Sequence, residues 1–213
     1  MRRIFIFTLQ VICTLTITAQ TTGKARLQAF AFSETTYINK LSDNGLWAVA
    51  SNVDANDATL YNYPYLLDIT KGTSISLLSE AEKLSSPDCC ANDITDDGKI
   101  VVGAHQGKPA ICRIGDNGSV TWEYLPTPSY ISNARGHIIA TTPDGSCMVG
   151  TVTNNSQNFD GGYKEYPVMW KNGELVELPN IPAGRDGYEL SRLMDISADG
   201  NILIGGLMYI YPS

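Results

Sequence analysis

Short apolar runs that follow a tight-turn signal recur along this chain, as in KIVVG at residues 99–103 and NILIG at residues 201–205. Apolar residues at consecutive positions are typical of a strand that is buried on both faces. Each run comes just after an Asn-Gly or Asp-Gly pair, which supplies the positive φ that a tight hairpin turn requires. The pattern therefore predicts antiparallel hairpins whose second strand lies inside the fold.

The turn signal occurs four times, at nearly regular spacing. Its glycines are separated by 53, 47 and 55 residues: Gly45, Gly98, Gly145 and Gly200. In every copy a Ser or Thr stands three residues before the glycine, and a Gly or Ala stands five residues after it. The residues four after the glycine are Val49, Val102, Val149 and Ile204. We expect them to occupy equivalent places in successive sheets, because periods near fifty residues with several strands are typical of propeller blades.

A second hairpin follows the first in three of the four copies. Each copy resumes at a proline: Pro64, Pro109, Pro167 or Pro212. Second turns are expected at residues 71–72, 116–118 and 171–173, which gives four strands per unit. We therefore predict an all-β fold, a β-propeller of four-stranded blades at about 37–84, 91–126 and 138–180, with a partial blade at 193–213. About three and a half blades make an incomplete ring; a compact four-bladed ring is the alternative, and residues 24–32 could add a closing strand.

The units resemble two related propeller repeats. ISADGNILIGG (196–206) and PVMWKNGELVELP (167–179) are similar to the two halves of the HAF-type extracellular repeat. LSDNGLWAVAS (41–51) and YLLDITKGTSISL (65–77) resemble TolB-type, WD40-like blades. Together these resemblances cover most of residues 37–213. They imply blades and supply no catalytic residues, since such propellers act as binding platforms, scaffolds and accessory domains of enzymes.

The first 19 residues have the layout of a secretory signal peptide. Two arginines precede an apolar run over residues 4–17, and Ala19 is the small residue expected before a cut at Gln20. A membrane anchor is the alternative, but the run is shorter than the roughly 20 residues of a spanning helix. The sequence thus predicts a secreted, periplasmic or cell-surface protein without membrane insertion after cleavage.

The net charge argues against nucleic-acid binding, and the cysteine spacing argues against a zinc site. The chain has 15 Lys and Arg against 22 Asp and Glu, and removing Arg2 and Arg3 leaves 13 against 22, a net charge of −9. This acidity argues against nucleic acid, which needs clustered cations. Cysteines 89, 90, 112 and 147 show no C-x-x-C spacing, so no zinc site is predicted. Cys112 and Cys147 occupy apolar strand positions and are expected in the core.

Candidate chemistry is confined to loops. Neither His105 nor His137 belongs to a hydrolase motif, so no catalytic residue is predicted. Two long connections, 52–63 and 154–166, mix tyrosines with carboxylates and amides, and loops on a rigid scaffold are where binding sites concentrate. The linker at 179–190 is expected on the same face. The candidate ligand-binding residues are Asp54, Asn56, Asp57, Tyr61, Asn154, Asp160, Tyr163, Arg185 and Tyr188.

The alternative for each of these loops is a solvated segment without a ligand. No cofactor is predicted, although the first three candidates could hold calcium, which needs several oxygen ligands. Two functional hypotheses result. The first is a binding module for a glycan, a peptide or a protein, without catalysis of its own. The second is a fragment or accessory propeller domain of a secreted glycosidase or peptidase, with catalytic groups beyond Ser213.

Overall fold

The computed structural model describes residues 11–12, 28–29, 35–53, 62–85, 88–153, 165–176, 178 and 188–209. We number the four sequence copies units 1 to 4. Ahead of them, β1 (Val11–Ile12) pairs antiparallel with β2 (Gln28–Ala29). The predicted candidates Asp54, Asn56, Asp57, Tyr61, Asn154, Asp160, Tyr163 and Arg185 lie outside the described residues.

The described strands follow the order of the four sequence copies, and each first strand begins between one and five residues before the start expected for its blade. Unit 1 comprises β3 (Thr35–Leu41), β4 (Trp47–Val53), β5 (Asn62–Asp68) and β6 (Thr73–Ser76). Unit 2 comprises β7 (Cys90–Ile94), β8 (Ile100–His105), β9 (Lys108–Ile114) and β10 (Val120–Tyr124). Unit 3 comprises β11 (Arg135–Thr141), β12 (Cys147–Thr153), β13 (Glu165–Lys171) and β14 (Glu174–Val176). Unit 4 has β15 (Tyr188–Ile196) and β16 (Leu203–Tyr209).

Each of the first three units is a four-stranded antiparallel sheet whose strands follow one another in chain order. The prediction of four-stranded blades is therefore confirmed, and the two strands of unit 4 make an incomplete set. The third strands begin one or two residues before Pro64, Pro109 and Pro167 rather than at them.

One short helix, α1 (Glu80–Leu84), interrupts the β pattern between units 1 and 2. Its start is fixed by a capping box in which Ser79 accepts the Glu82 N–H and Glu82 accepts the Ser79 N–H. The Ser-x-x-Glu signal is readable in the sequence, although the sequence analysis predicted no helix here.

Successive sheets pack face to face around a common axis. The first strands β3, β7, β11 and β15 contact one another in that order, which places them innermost. Val49 and Leu66 of unit 1 pack on Val101 and Cys112 of unit 2. Cys112 and Cys147 are buried in the core, as predicted. Each buried aliphatic side chain contributes about 1.5–3 kcal/mol, so hydrophobic burial between blades holds the stack together.

The tight turns have the predicted geometry in all four units. The glycines adopt positive φ angles from 70° to 73°: Gly45, Gly98, Gly145 and Gly200. The Ser or Thr hydroxyl three residues earlier accepts the backbone N–H two residues after the glycine, at 2.9–3.1 Å. Because that hydroxyl also donates to the Asn or Asp of the turn, one local network fixes each hairpin.

Every first strand carries a β-bulge at the same place, six residues before the turn glycine. The register shifts lie at residues 39, 92, 139 and 194. Asn39 and Asn92 use this position to donate to the next unit, to the Ala91 and Ile138 carbonyls, both at 2.7 Å. These bonds tie unit 1 to unit 2 and unit 2 to unit 3 at the axis.

The register also confirms the predicted equivalence of the inner-strand residues. Val49, Val102 and Val149 each pair with the residue that follows the bulge, and so does Ile204. The three valines are fully buried, whereas Ile204 is 59% exposed. The difference arises because no described strand packs on that face of unit 4, which fits an incomplete ring.

Candidate functional site

The strand pairings show which end of the blades holds the long connections. Val53 is opposite both Thr35 and Asn62, and Thr153 is opposite both Arg135 and Glu165. The second-to-third-strand connections therefore leave from the end where each first strand begins. We call this end the loop face, and the opposite end, with the Asn-Gly and Asp-Gly turns, the turn face.

Four equivalent residues lie in the innermost, first strands near the loop face. Each lies eight residues before its turn glycine: Tyr37, Cys90, His137 and Arg192. We call this set the axial ring. Its members are chemically different, although the turn residues that follow them recur in every unit. None of the four is fully buried.

A close backbone contact holds the axial ring in place. A Cβ built on Gly103 would lie 2.0 Å from the Cys90 carbonyl oxygen, and one on Gly150 would lie 2.2 Å from that of His137. The second strand thus presses against the first strand at the ring residue. This crowding accounts for the glycine five residues after the turn glycine in units 2 and 3.

The titratable groups of the axial ring are held in neutral or paired states. Burial lowers the pKa of His137, which favours the neutral imidazole, and burial raises the pKa of the Cys90 thiol to about 11. A thiol that stays protonated is a poor nucleophile. The Glu165 carboxylate raises the pKa of Arg192 by accepting its hydrogen bonds, one of them at 2.6 Å from Nη2.

A second ion pair lies beside the ring, between Arg135 and Asp88. The same region holds the short turn of unit 2, where the Gly107 N–H donates to the Asp88 carbonyl at 2.7 Å and the Gly107 carbonyl accepts the Gly136 N–H at 2.9 Å. Backbone hydrogen bonds therefore connect this turn to the segment before β7 and to β11. Two cations are balanced by two anions, which leaves this part of the loop face without excess charge.

His105 lies at the base of the same turn. Its Nε2 is 3.0 Å from Glu82 Oε1 and its Nδ1 is 2.9 Å from Tyr124 Oη. We call Glu82, His105 and Tyr124 the histidine clasp. Both ring nitrogens are occupied within the protein, so His105 offers no free nitrogen to a substrate.

Exposed aromatic side chains are concentrated at this end. Among the side chains that the structure describes, those aromatics that are exposed are Tyr37 (56%), Tyr124 (46%) and Tyr130 (74%). All three belong to the loop face, at the start of a first strand, the end of a fourth strand and a linker. Tyr130 also makes an edge contact with Tyr166, at 6.0 Å between centroids.

Of the predicted ligand-binding residues, Tyr188 alone falls in a described strand. It begins β15 and is opposite Tyr209, so it enters unit 4 from the loop face. The sequence analysis did not identify the axial ring. The shared spacing of eight residues before each turn glycine is readable in the sequence, but the bulge that decides which side chains share a face of the strand is not.

No described group of three or more His, Cys, Asp and Glu side chains is arranged to hold a metal ion. The four cysteines of the described ranges are all free thiols. Among the described helices, none combines the length and the apolar character needed to cross a bilayer.

Four-stranded antiparallel sheets packed in sequence around an axis define the chain as a β-propeller. Among solved structures it is similar to a putative TolB from Agrobacterium tumefaciens, with a TM-score of 0.54 and 15% sequence identity. The similarity covers 88% of this chain and 62% of that one, so our chain spans less than two thirds of its length.

A TolB from Acinetobacter baumannii also matches, with a TM-score of 0.45 and 16% identity over 87% of this chain and 44% of that one. The first match confirms the TolB-like fold predicted from the blades. The HAF-type resemblance stays a prediction. No protein-family model and no curated protein sequence matches the chain.

Proposed function

We propose that this protein is a propeller-type binding module that holds a polypeptide partner against its loop face, without catalysis of its own. The observation that carries the proposal is the concentration of exposed tyrosines at the end of the blades where the axial ring lies. Tyrosine and arginine are enriched at protein interfaces, and tyrosine among the residues that dominate their binding energy.

The charge balance of the loop face supports a polypeptide rather than a polyanion. Arg135 and Arg192 are each paired with a carboxylate, so neither is free to take a phosphate. Mixed polar and aromatic surfaces of this kind suit the polar rim and aromatic centre of a protein interface. Glycan binding and the calcium site in the 52–63 loop stay predictions.

Export from the cytoplasm is part of the proposal. It is supported by the signal-like layout of residues 1–19. A secreted or periplasmic location would bring the loop face into contact with envelope or extracellular proteins. The alternative of a hydrolase domain also stays a prediction. Burial keeps the Cys90 thiol of the axial ring protonated, and a protonated thiol is a poor nucleophile.

A random peptide library displayed on phage tests the proposal. Peptides selected on the purified protein should lose at least about tenfold in affinity with Tyr37→Ala or Tyr130→Ala, the range expected for interface tyrosines. Leu46→Ala is the matched control, since Leu46 is 45% exposed on the turn face.

Failure to select any peptide, or equal losses with Leu46→Ala, would contradict the proposal. Thermal unfolding of each variant separates a lost contact from a lost fold. A glycan array run in parallel decides whether carbohydrate is the true ligand class, and a positive array with no peptide binding overturns the polypeptide assignment.

A further inference from the structure

The short turn of unit 2 has an unusual residue at its first position. His105 and Lys108 are paired across β8 and β9, so Gln106 and Gly107 form a two-residue hairpin turn. Their φ angles are 51° and 70°, and positive values at both places define a type I′ turn. Asn, Asp and Gly are strongly preferred in such turns, whereas other residues rarely adopt a positive φ. Gln106 therefore occupies a backbone conformation that does not suit it.

The same chain supplies a direct comparison. Unit 3 has a second two-residue turn, between Lys171 and Glu174. Asn172 and Gly173 occupy it, with φ angles of 51° and 82°. Among the described residues other than glycine, three have a positive φ, and Gln106 is the one that is not an asparagine. A strained residue that persists in an exposed turn is a reason to look for a function of its side chain.

Main-chain contacts hold Gln106 in this conformation. Gly107 donates its N–H to the Asp88 carbonyl and accepts the Gly136 N–H at its own carbonyl. The Gln106 backbone is also hydrogen-bonded to the Cys89 thiol. The turn is thus fixed on both flanks, while the Gln106 side chain is exposed. A side chain on a fixed backbone loses less freedom when a partner binds, which favours affinity.

The histidine clasp leaves the Gln106 side chain without a donor. Hydrogen bonds from Ser79 lower the pKa of Glu82, so this carboxylate is ionised and only accepts. His105 must then donate from Nε2, and in the neutral ring that burial favours, Nδ1 accepts the Tyr124 hydroxyl proton at 2.9 Å. Gln106 Oε1 lies 3.3 Å from the same hydroxyl, which has no second proton to give. Among the described residues no other hydrogen bond of the Gln106 side chain is found, so its amide is available to a partner.

We propose that Gln106 is a specificity-determining residue of the loop face, whose side-chain amide pairs with the main chain of an extended polypeptide partner. A carboxamide offers an acceptor oxygen and two N–H donors, and so complements the N–H and C=O groups of a peptide bond. It carries no charge, which fits a face where Arg135 and Arg192 are already paired with carboxylates. This role rests on the proposed function and adds what the partner presents to Gln106, its backbone rather than a particular side chain.

Gln106→Asn separates the part that this side chain plays in binding from its effect on the turn. Asparagine suits the left-handed backbone and keeps an amide, but its shorter side chain draws that amide back from the partner. We expect the melting midpoint of the full chain to rise by about 1–3 °C. The affinity for peptides selected from the phage library should fall about fivefold, as for the loss of one net hydrogen bond. A residue that served only the fold would not give a stabilised protein that binds less well.

Asn172→Gln is the matched control, because it places glutamine in the equivalent turn on the turn face. Its melting midpoint should fall by about 1–3 °C, without a change in peptide affinity. Selected peptides that are N-methylated at one peptide bond at a time test recognition of the main chain. At least one of them should bind the wild-type protein about fivefold less tightly than its unmethylated form does, and bind the Gln106→Asn variant as tightly as that form does.

Wild-type peptide affinity in Gln106→Asn, or a melting midpoint no higher than that of the wild type, overturns this role of Gln106 and leaves the proposed function intact. So do losses on N-methylation that are equal in the wild type and the variant. Failure to select any peptide on the wild-type protein overturns the proposed function and this role together.

Discussion

Gly150 is a position where adding one methyl group should disturb the axial ring. A Cβ there would lie 2.2 Å from the His137 carbonyl oxygen and 2.9 Å from the Ile138 Cα. Ordinary carbon–oxygen contacts are about 3.3 Å or longer. The β11 and β12 backbones would have to separate by about 1 Å, at the point where Gly150 is paired with Ile138.

We expect Gly150→Ala to destabilise the protein by about 2–4 kcal/mol. Overpacking of a close-packed interior costs about 1–3 kcal/mol, and a weakened ladder hydrogen bond adds about 1 kcal/mol. That sum is a large share of the total stability of an ordinary domain. Equilibrium urea denaturation measures the change in the free energy of unfolding.

Gly45→Ala is the matched control for this measurement. Gly45 has a φ of 70°, and a Cβ there meets nothing within 4 Å. Its substitution should cost about 1–2 kcal/mol, for the left-handed backbone alone. If Gly150→Ala costs no more than Gly45→Ala, crowding at the axial ring is not what requires glycine, and the reasoning is refuted.

Three further predictions concern buried groups. Burial raises the pKa of Asp93 to about 6, so the protonated side chain stabilises the folded protein by at most about 3 kcal/mol relative to the ionised one. This stabilisation is present at low pH and lost as pH rises through about 6. Asp93→Asn should remove this trend from unfolding curves measured across that range. Trp170→Phe should cost about 2–3 kcal/mol in urea, because it opens a cavity and leaves the Pro126 carbonyl without its 2.7 Å donor. Thr95→Val should cost about 1–2 kcal/mol by thermal unfolding, because the Ile100 N–H loses its acceptor; an unchanged midpoint would contradict this.

Local signals explain how much of the fold was predictable. Each hairpin is fixed by residues within five positions of Gly45 or its equivalents, so the turns and inner strands could be located without knowing their neighbours. The face-to-face stacking followed from apolar runs, since a strand buried on both sides needs a sheet on each side.

Contacts between distant residues explain what could not be predicted. The histidine clasp joins residues 23 and 19 positions apart, and no local pattern marks such a pair. The axial ring required the bulge to be known, because a bulge changes which side chains share a face of the strand. The loops at 52–63 and 154–166, on which the site prediction rested, are untested by the described residues.

The repeat itself indicates where function should lie. Positions that pack between neighbouring sheets are apolar in units 1 to 3, as at Val49, Val102 and Val149, since each of these units must fit the same kind of neighbour. The axial ring departs from this pattern, because its four members are chemically different although they occupy equivalent places in the first strands. Tyrosine, thiol, imidazole and guanidinium at one structural position cannot all serve one packing role. Such diversity suits a binding surface for an asymmetric partner. We therefore expect Cys90→Ser and Arg192→Lys to leave the free energy of unfolding nearly unchanged and to alter peptide binding.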